Sequence, residues 1–309
     1  MHIKMRAERG KKRMVRVTQG MLNTQLLRNL NNNLHRMDNL QQQLATGRRI
    51  SKPSDDPVAI SFALRYRSEI GMNEQHQRNV NDSLSWLSYT DIILDQAGQV
   101  LQRARELAVQ GANGSNPQEA LDSIKSEVEQ LYEQMVDIAN SRFNGKYVFN
   151  GQMTDKPPYN AATAAADVTD TGKIEFEIGA GVKIAVNITG EEVFGPAGGD
   201  NIFKVMQDLI SHLENGDHTA VSNIIDKLDD HMNAFLAARA DIGAKVNRVE
   251  LAESRLQDIN INLQNLKSKN EDADMAEVIM NIKMAENVYM ASLSAGARII
   301  MPSLADFLR

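Results

Sequence analysis

The chain has 309 residues, a formal net charge of −6, 42% hydrophobic residues, 5% aromatics and no cysteine. Missing cysteine excludes disulfides, thiolate metal sites and a cysteine nucleophile, and the acidic balance gives no general drive toward nucleic acid or anionic lipid. Such a length has room for about two or three domains, and so few aromatics suit narrow helical cores better than the broad core of a compact enzyme.

Residues 1–13 are basic but have no apolar stretch behind them, so no cleaved secretory signal is read there. They read as an extension ahead of a start at Met14. No apolar run approaches the roughly 18 residues of a membrane span, so membrane insertion is not expected.

In residues 17–44, Leu27, Leu30, Leu34, Met37 and Leu44 recur at alternating steps of three and four, with Gln41 breaking the series. That spacing is a coiled-coil seam. A narrow apolar stripe needs a partner helix, and nothing nearby in the chain supplies one. At the far end, Met275, Val278, Ile282, Ala285 and Tyr289 repeat the spacing, with Ile279, Met290, Leu293 and Ile300 on a flanking stripe. The two ends therefore pair, and the rest of the chain is an excursion out and back. Asn31, Asn32 and Asn33 are poor helix formers. The ends are expected to be weakly ordered in a free monomer and to become ordered against other copies.

Gly47, Pro53 and Pro57 break the first helix, and Ser54, Asp55 and Asp56 offer caps for a helix with Pro57 in its first position. Residues 45–57 read as a linker whose Arg48, Arg49, Asp55 and Asp56 are available for contacts between subunits. From 58 to 110 a heptad carries Ala63, Tyr66, Ile70, Val80, Leu84, Leu87, Leu94 and Leu101, interrupted by Asn73, Gln77 and Asp91. One helix there would reach roughly 80 Å. Gly111, Gly114 and Pro117 end it, and residues 117–140 form a second helix that folds back.

The period then changes. FNGKYVFNG at 143–151 reads as a hairpin-like piece, and 173–178 with 182–188 as a β-hairpin around Gly179-Ala180-Gly181. Residues 190–200 read as glycine-rich loop. Helix returns over 201–213 and, as a long return helix, over 219–266, followed by a charged linker at 267–274.

The fold class is mainly α: an elongated antiparallel helical bundle or coiled-coil rod with a small β-rich insert at its tip. Residues 14–50 with 270–309 make a terminal coiled-coil domain, 51–150 with 201–269 a helical rod domain, and 151–200 the outer insert. No catalytic constellation is visible. The histidines form no HExxH pair, the acidic clusters lack EF-hand spacing, and no GxSxG or phosphate-binding glycine loop occurs. No cofactor or metal is expected.

Several motifs resemble bacterial flagellins. They are VTQGMLNTQ, LATGRRISKPSDDPVAI, RARELAVQGANG, IANSRFNGKYVFNG, RADIGAKVNRVELAESRL and the ending SLADFLR. Lys52-Pro53-Ser54-Asp55-Asp56-Pro57, YVFNGQMTDKPPY, the short insert and the ending Asp306-Phe307-Leu308-Arg309 are more similar to the family's hook–filament junction members. The resemblance implies a structural, non-enzymatic protein of the extracellular flagellum, exported unfolded without a cleaved signal. Its partners would be copies of itself in a ring, the hook-proximal junction protein, flagellin and an export chaperone. A filament-forming flagellin is the alternative. The implied interface residues are Leu27, Leu30, Leu34 and Met37 with Ile282, Tyr289, Leu293 and Ile300 in the inner coil. On the rod, Arg103, Arg105 and Glu106 resemble the flagellin surface used for lateral contacts.

Overall fold

The computed structural model describes residues 19–300, with side chains from 20 to 298. The expectations for residues 1–13, for the first residues of the VTQG motif and for the SLADFLR ending lie outside the described residues. The chain groups into two compact units, residues 1–67 with 264–309 and residues 68–263.

In the first unit, α1 (Gln19–Thr46) packs along α7 (Met275–Ile300). Gly47 ends α1: its φ of +69 is left-handed, and its N–H donates to the carbonyl of Gln43 at 2.8 Å. Two long helices, α2 (Pro57–Gly111) and α6 (His218–Glu271), supply turns to both units. Asp56 caps α2 by accepting from the N–H groups of Val58 and Ala59, with Pro57 in the first position. At the other end, α6 runs through Lys267–Glu271, which sequence reading assigns to a linker. Charge does not stop a helix; Lys, Ser, Asn and Glu are all compatible with one. The break comes only at 272–274, where Asp274 accepts from Ala276 and Glu277 to start α7.

The second unit contains α3 (Gln118–Ala139), α5 (Ile202–Asn215) and most of α2 and α6. The heptad expected on α2 is buried at Val80, Leu87, Leu94 and Leu101. Its interruption at Asn73 is also buried, and that amide donates to the carbonyl of Leu256 at 2.9 Å. A buried polar group at a seam position fixes register, because any slip leaves the amide unpaired.

The strands are short. Strands β1 (Arg142–Phe143) and β2 (Lys146–Tyr147) pair antiparallel across Asn144-Gly145, both at positive φ. Strands β3 (Glu175–Gly179) and β4 (Val182–Ala185) form the second hairpin, slightly shorter than expected. The expected loop at 190–200 instead opens with a short helix, α4 (Gly190–Phe194). Thr189 and Glu192 form a reciprocal capping box, a T-x-x-E signal that neighbouring glycines hide in the sequence.

Residues 151–200 share the unit's core. Phe194 packs edge-on to Phe149 and Phe235, with ring centroids 5.2 and 5.8 Å apart, and Tyr159 lies 4.7 Å from Phe203. The loop backbone is satisfied by side chains rather than by strands. Asn187 accepts from the N–H of Ile174 and donates to the carbonyl of Gly172; Asn140 makes the same two-way pair with the backbone of Tyr159.

Candidate assembly surfaces

The face of α1 turned toward α7 carries Leu26, Leu30, Asn33, Met37 and Leu40, all half-buried. This corrects the expected seam. Leu30 and Met37 belong to it, but Leu27 is 61% exposed, and Leu34 and Leu44 also face out. Apolar residues stand on both sides of the Leu30–Met37 line, so spacing alone cannot choose between them. Packing chooses: the amide of Asn33 donates to Ser292 Oγ at 3.4 Å, and Leu26 lies over Gly296.

On α7 the expected seam is found at Val278 and Ile282, buried, and at Ala285 and Tyr289, half-buried; it continues through Ser292 and Gly296. Met275, which opens the expected series, is exposed. The flanking stripe at Ile279, Met290 and Leu293 is exposed too, and the side chain of Ile300 lies outside the described residues. Sequence reading misses Met280, Met284 and Val288, which are 56%, 51% and 51% exposed. Apolar side chains therefore occur on every side of α7, while α1 packs along one. Charged residues such as Glu277, Lys283, Glu286 and Arg298 lie among them, but so many exposed large apolar side chains on one helix call for a covering partner. Val58, Phe62 and Leu64 at the start of α2 add further exposed apolar surface to this unit.

The linker is ordered by a charge cluster that spacing does not reveal. Glu271 is fully buried and paired with Arg48 at 2.9 Å and with Arg67. Around it, Arg49 N–H donates to the carbonyl of Glu271, Ala273 N–H to that of Gly47, and Asn270 to that of Ala59. Asp55 accepts from the N–H groups of Ser51 and Lys52, and those bonds hold its carboxyl below the usual range. Arg48, Arg49, Asp55 and Asp56, which the sequence offers for subunit contacts, all make bonds within the chain.

In the second unit, Arg103 bonds Glu127 of α3 and Glu106 of its own helix, and Arg105 bonds Asp229 of α6 in a two-pronged contact. These pairs lower the Asp229 carboxyl and raise both guanidiniums. Arg239, which sequence reading leaves aside, clamps Asp91 and Asp95 at 3.0 and 2.7 Å. An open groove of about 300 Å³ under the β3–β4 hairpin is lined by Ile178, Val182, Leu251 and Ile259, with Arg248 and Arg255 beside them. Among the described residues, no cluster of histidines and carboxylates is arranged to hold a metal ion. No described helix is long and apolar enough to cross a membrane.

Residues 17–154 match the bacterial flagellin N-terminal helical region, and residues 225–308 match the bacterial flagellin C-terminal helical region. The chain belongs to the bacterial flagellin family. Among flagellin-family relatives, a flagellin of Halalkalibacterium halodurans is 26% identical over 86% of this chain and 88% of its own. Flagellar hook-associated protein 3 of Escherichia coli is 24% identical over 91% and 96%, and that of Salmonella typhimurium 25% over 90% and 95%. The fold is similar to that of flagellar hook-associated protein 3 from Legionella pneumophila, with a TM-score of 0.61 at 18% identity over 66% of this chain and 97% of the other. It is likewise similar to that of Bacillus cereus FlgL, with a TM-score of 0.58 at 22% identity over 66% and 99%.

Proposed function

We propose that this flagellin-family chain is a structural component of the junction between hook and filament, and that it templates flagellin assembly through its terminal helices. The observation that carries this reading is the unit built on α1 and α7: α1 covers one side of the second helix, and Ile279, Met280, Met284, Val288, Met290 and Leu293 stand exposed on its other sides. Such a face is expensive to leave in water, at roughly 1.5–3 kcal/mol for each fully buried large side chain gained on assembly. Leu27, Leu34 and Leu293 stand on this outward surface; Ile282 and Tyr289 hold the two helices together beneath it.

On this reading residues 14–50 with 270–309 form the inner coil, 51–150 with 201–269 the rod, and 151–200 the outward insert. Arg103, Arg105 and Glu106 keep the rod helices in register and present its side to neighbours. The partners are copies of itself in a ring, the hook-proximal junction protein, flagellin and a chaperone that shields the C-terminal stripe before export. The protein works outside the cell, is exported without a cleaved signal, and has no catalytic role.

Electron microscopy of cells lacking the chain tests this. Hooks without filaments, with flagellin released to the medium, are expected; normal filaments overturn it. Removing the last thirty or so residues should leave the 68–263 unit folded and abolish swimming. The similarity to Halalkalibacterium flagellin supports a second reading, a filament subunit. Growth of long filaments from the purified chain alone would decide for that reading.

A further inference from the structure

With no cysteine in the chain, methionine thioethers are its only sulfur nucleophiles. They are distributed unevenly. In the 68–263 unit Met135 and Met206 are fully buried, and Met72 and Met153 stand exposed at separate places. On α7, Met275, Met280, Met284 and Met290 are all exposed, Met290 to 67%. None of them lies in the seam, which is built from Val278, Ile282, Ala285 and Tyr289. The helix thus keeps stiff and small side chains for its fixed partner and places flexible thioethers on the open sides. Unbranched methionine suits a surface that must fit more than one partner, and the same exposure leaves it open to oxidants.

We propose that these α7 methionines are an oxidation site that switches off assembly, with hydroperoxides as the co-reactant. This rests on the assembly reading above. A sulfur lone pair attacks the distal oxygen of the peroxide. The S–O bond forms, the O–O bond breaks, and the departing oxygen takes the hydroxyl proton to leave as water (for hydrogen peroxide). Sulfur loses two electrons and the peroxide gains them. Each sulfoxide turns an apolar contact into a polar, chiral one. On α7 the seam contains no sulfur, and on α1 its single thioether, Met37, is half-buried, so oxidation falls first on the exposed α7 methionines and leaves the α1–α7 pair standing. What is lost is the outward surface.

The test uses the full-length chain and limiting hydrogen peroxide, followed by peptide mass mapping. Sulfoxide should accumulate at the α7 positions at least about tenfold faster than at Met135 and Met206; equal rates overturn the proposal. The treated chain is then co-sedimented with hooks purified from cells that lack it. Oxidised wild type should bind at least about tenfold less than untreated chain, while an oxidised M275L/M280L/M284L/M290L variant binds as before. That variant retains Met21, Met72 and Met153, which are also exposed, so loss of its binding on oxidation overturns the assignment to α7. If the unoxidised variant does not bind, methionine sulfoxide reductases acting on oxidised wild type make the comparison: recovered binding supports the switch, and unrecovered binding overturns it. Undiminished binding by oxidised wild type defeats the switch and leaves the assembly reading standing. Failure of untreated wild type to bind hooks defeats the assembly reading and the switch with it.

Discussion

Gly296 of α7 lies so close to Leu26 of α1 that a β-carbon built on the glycine would stand 2.6 Å from a leucine methyl. The glycine is fixed by its neighbour rather than by a turn, since it sits inside a helix. Gly296→Leu should destabilise the α1–α7 pair by about 1–3 kcal/mol through overpacking. Leu26→Ala in the same chain should relieve part of that loss. Denaturation of the single and double variants, followed by helical circular dichroism, gives the coupling, and additive effects would mean that the two residues do not touch.

Glu271 is buried while its partners Arg48 and Arg67 keep 48% and 39% of their side chains in water. Glu271→Ala frees those guanidiniums to turn outward, so the loss is smaller than for a sealed ion pair. We expect about 1–3 kcal/mol. Glu271→Gln should fall between the two. Faster hydrogen exchange at Arg49 and Ala273 in the variants, whose N–H groups bridge the linker, would report the loosened joint.

Asn187→Ala strips two partners from a buried loop, the N–H of Ile174 and the carbonyl of Gly172. Each orphaned group costs about 1–3 kcal/mol. Urea unfolding should show that loss, and Asn187→Leu should be no better, since added bulk cannot pair either group.

Burial holds the imidazole of His231 below its ordinary value, against the opposing pull of Asp200 and Asp230. The unfolded chain therefore binds that proton more readily. The histidine's share of stability is complete above the ordinary imidazole value of about 6.5 and declines as pH falls below it. His231→Gln should flatten stability through that window. The lowered carboxyls of Asp200 and Asp229 act further down: their share is present above the usual carboxylate range and is lost as pH falls through their depressed values.

Free in dilute solution, the terminal helices should exchange amide protons faster than α3 and α5, which are buried along one face. Equal protection at both would refute ordering of the ends by assembly.

Periodicity made the long helices legible, because a heptad such as Val80, Leu87, Leu94 and Leu101 has one apolar face and one solution. Caps were legible where a side chain bonds its own backbone, as Asp56 does ahead of Pro57. The hairpins showed through their glycines. The candidate surface was half legible: α7's seam follows one clean heptad, but α1 has competing stripes, and Leu27 and Leu34 proved to face away from the seam.

From its order of residues alone, the chain determined its helices and turns, since those depend on neighbours three or four positions apart, and it marked both ends as apolar stripes in need of a partner. Tertiary structure alone decided which stripe of α1 meets α7, that Glu271 is a buried hub for Arg48 and Arg67, and that Phe194 of the insert joins the core of Phe149 and Phe235. Those outcomes depend on contacts between residues far apart in the chain. Close approach at Gly296, the reach of a guanidinium and the fit of aromatic rings select among arrangements that local spacing leaves equal.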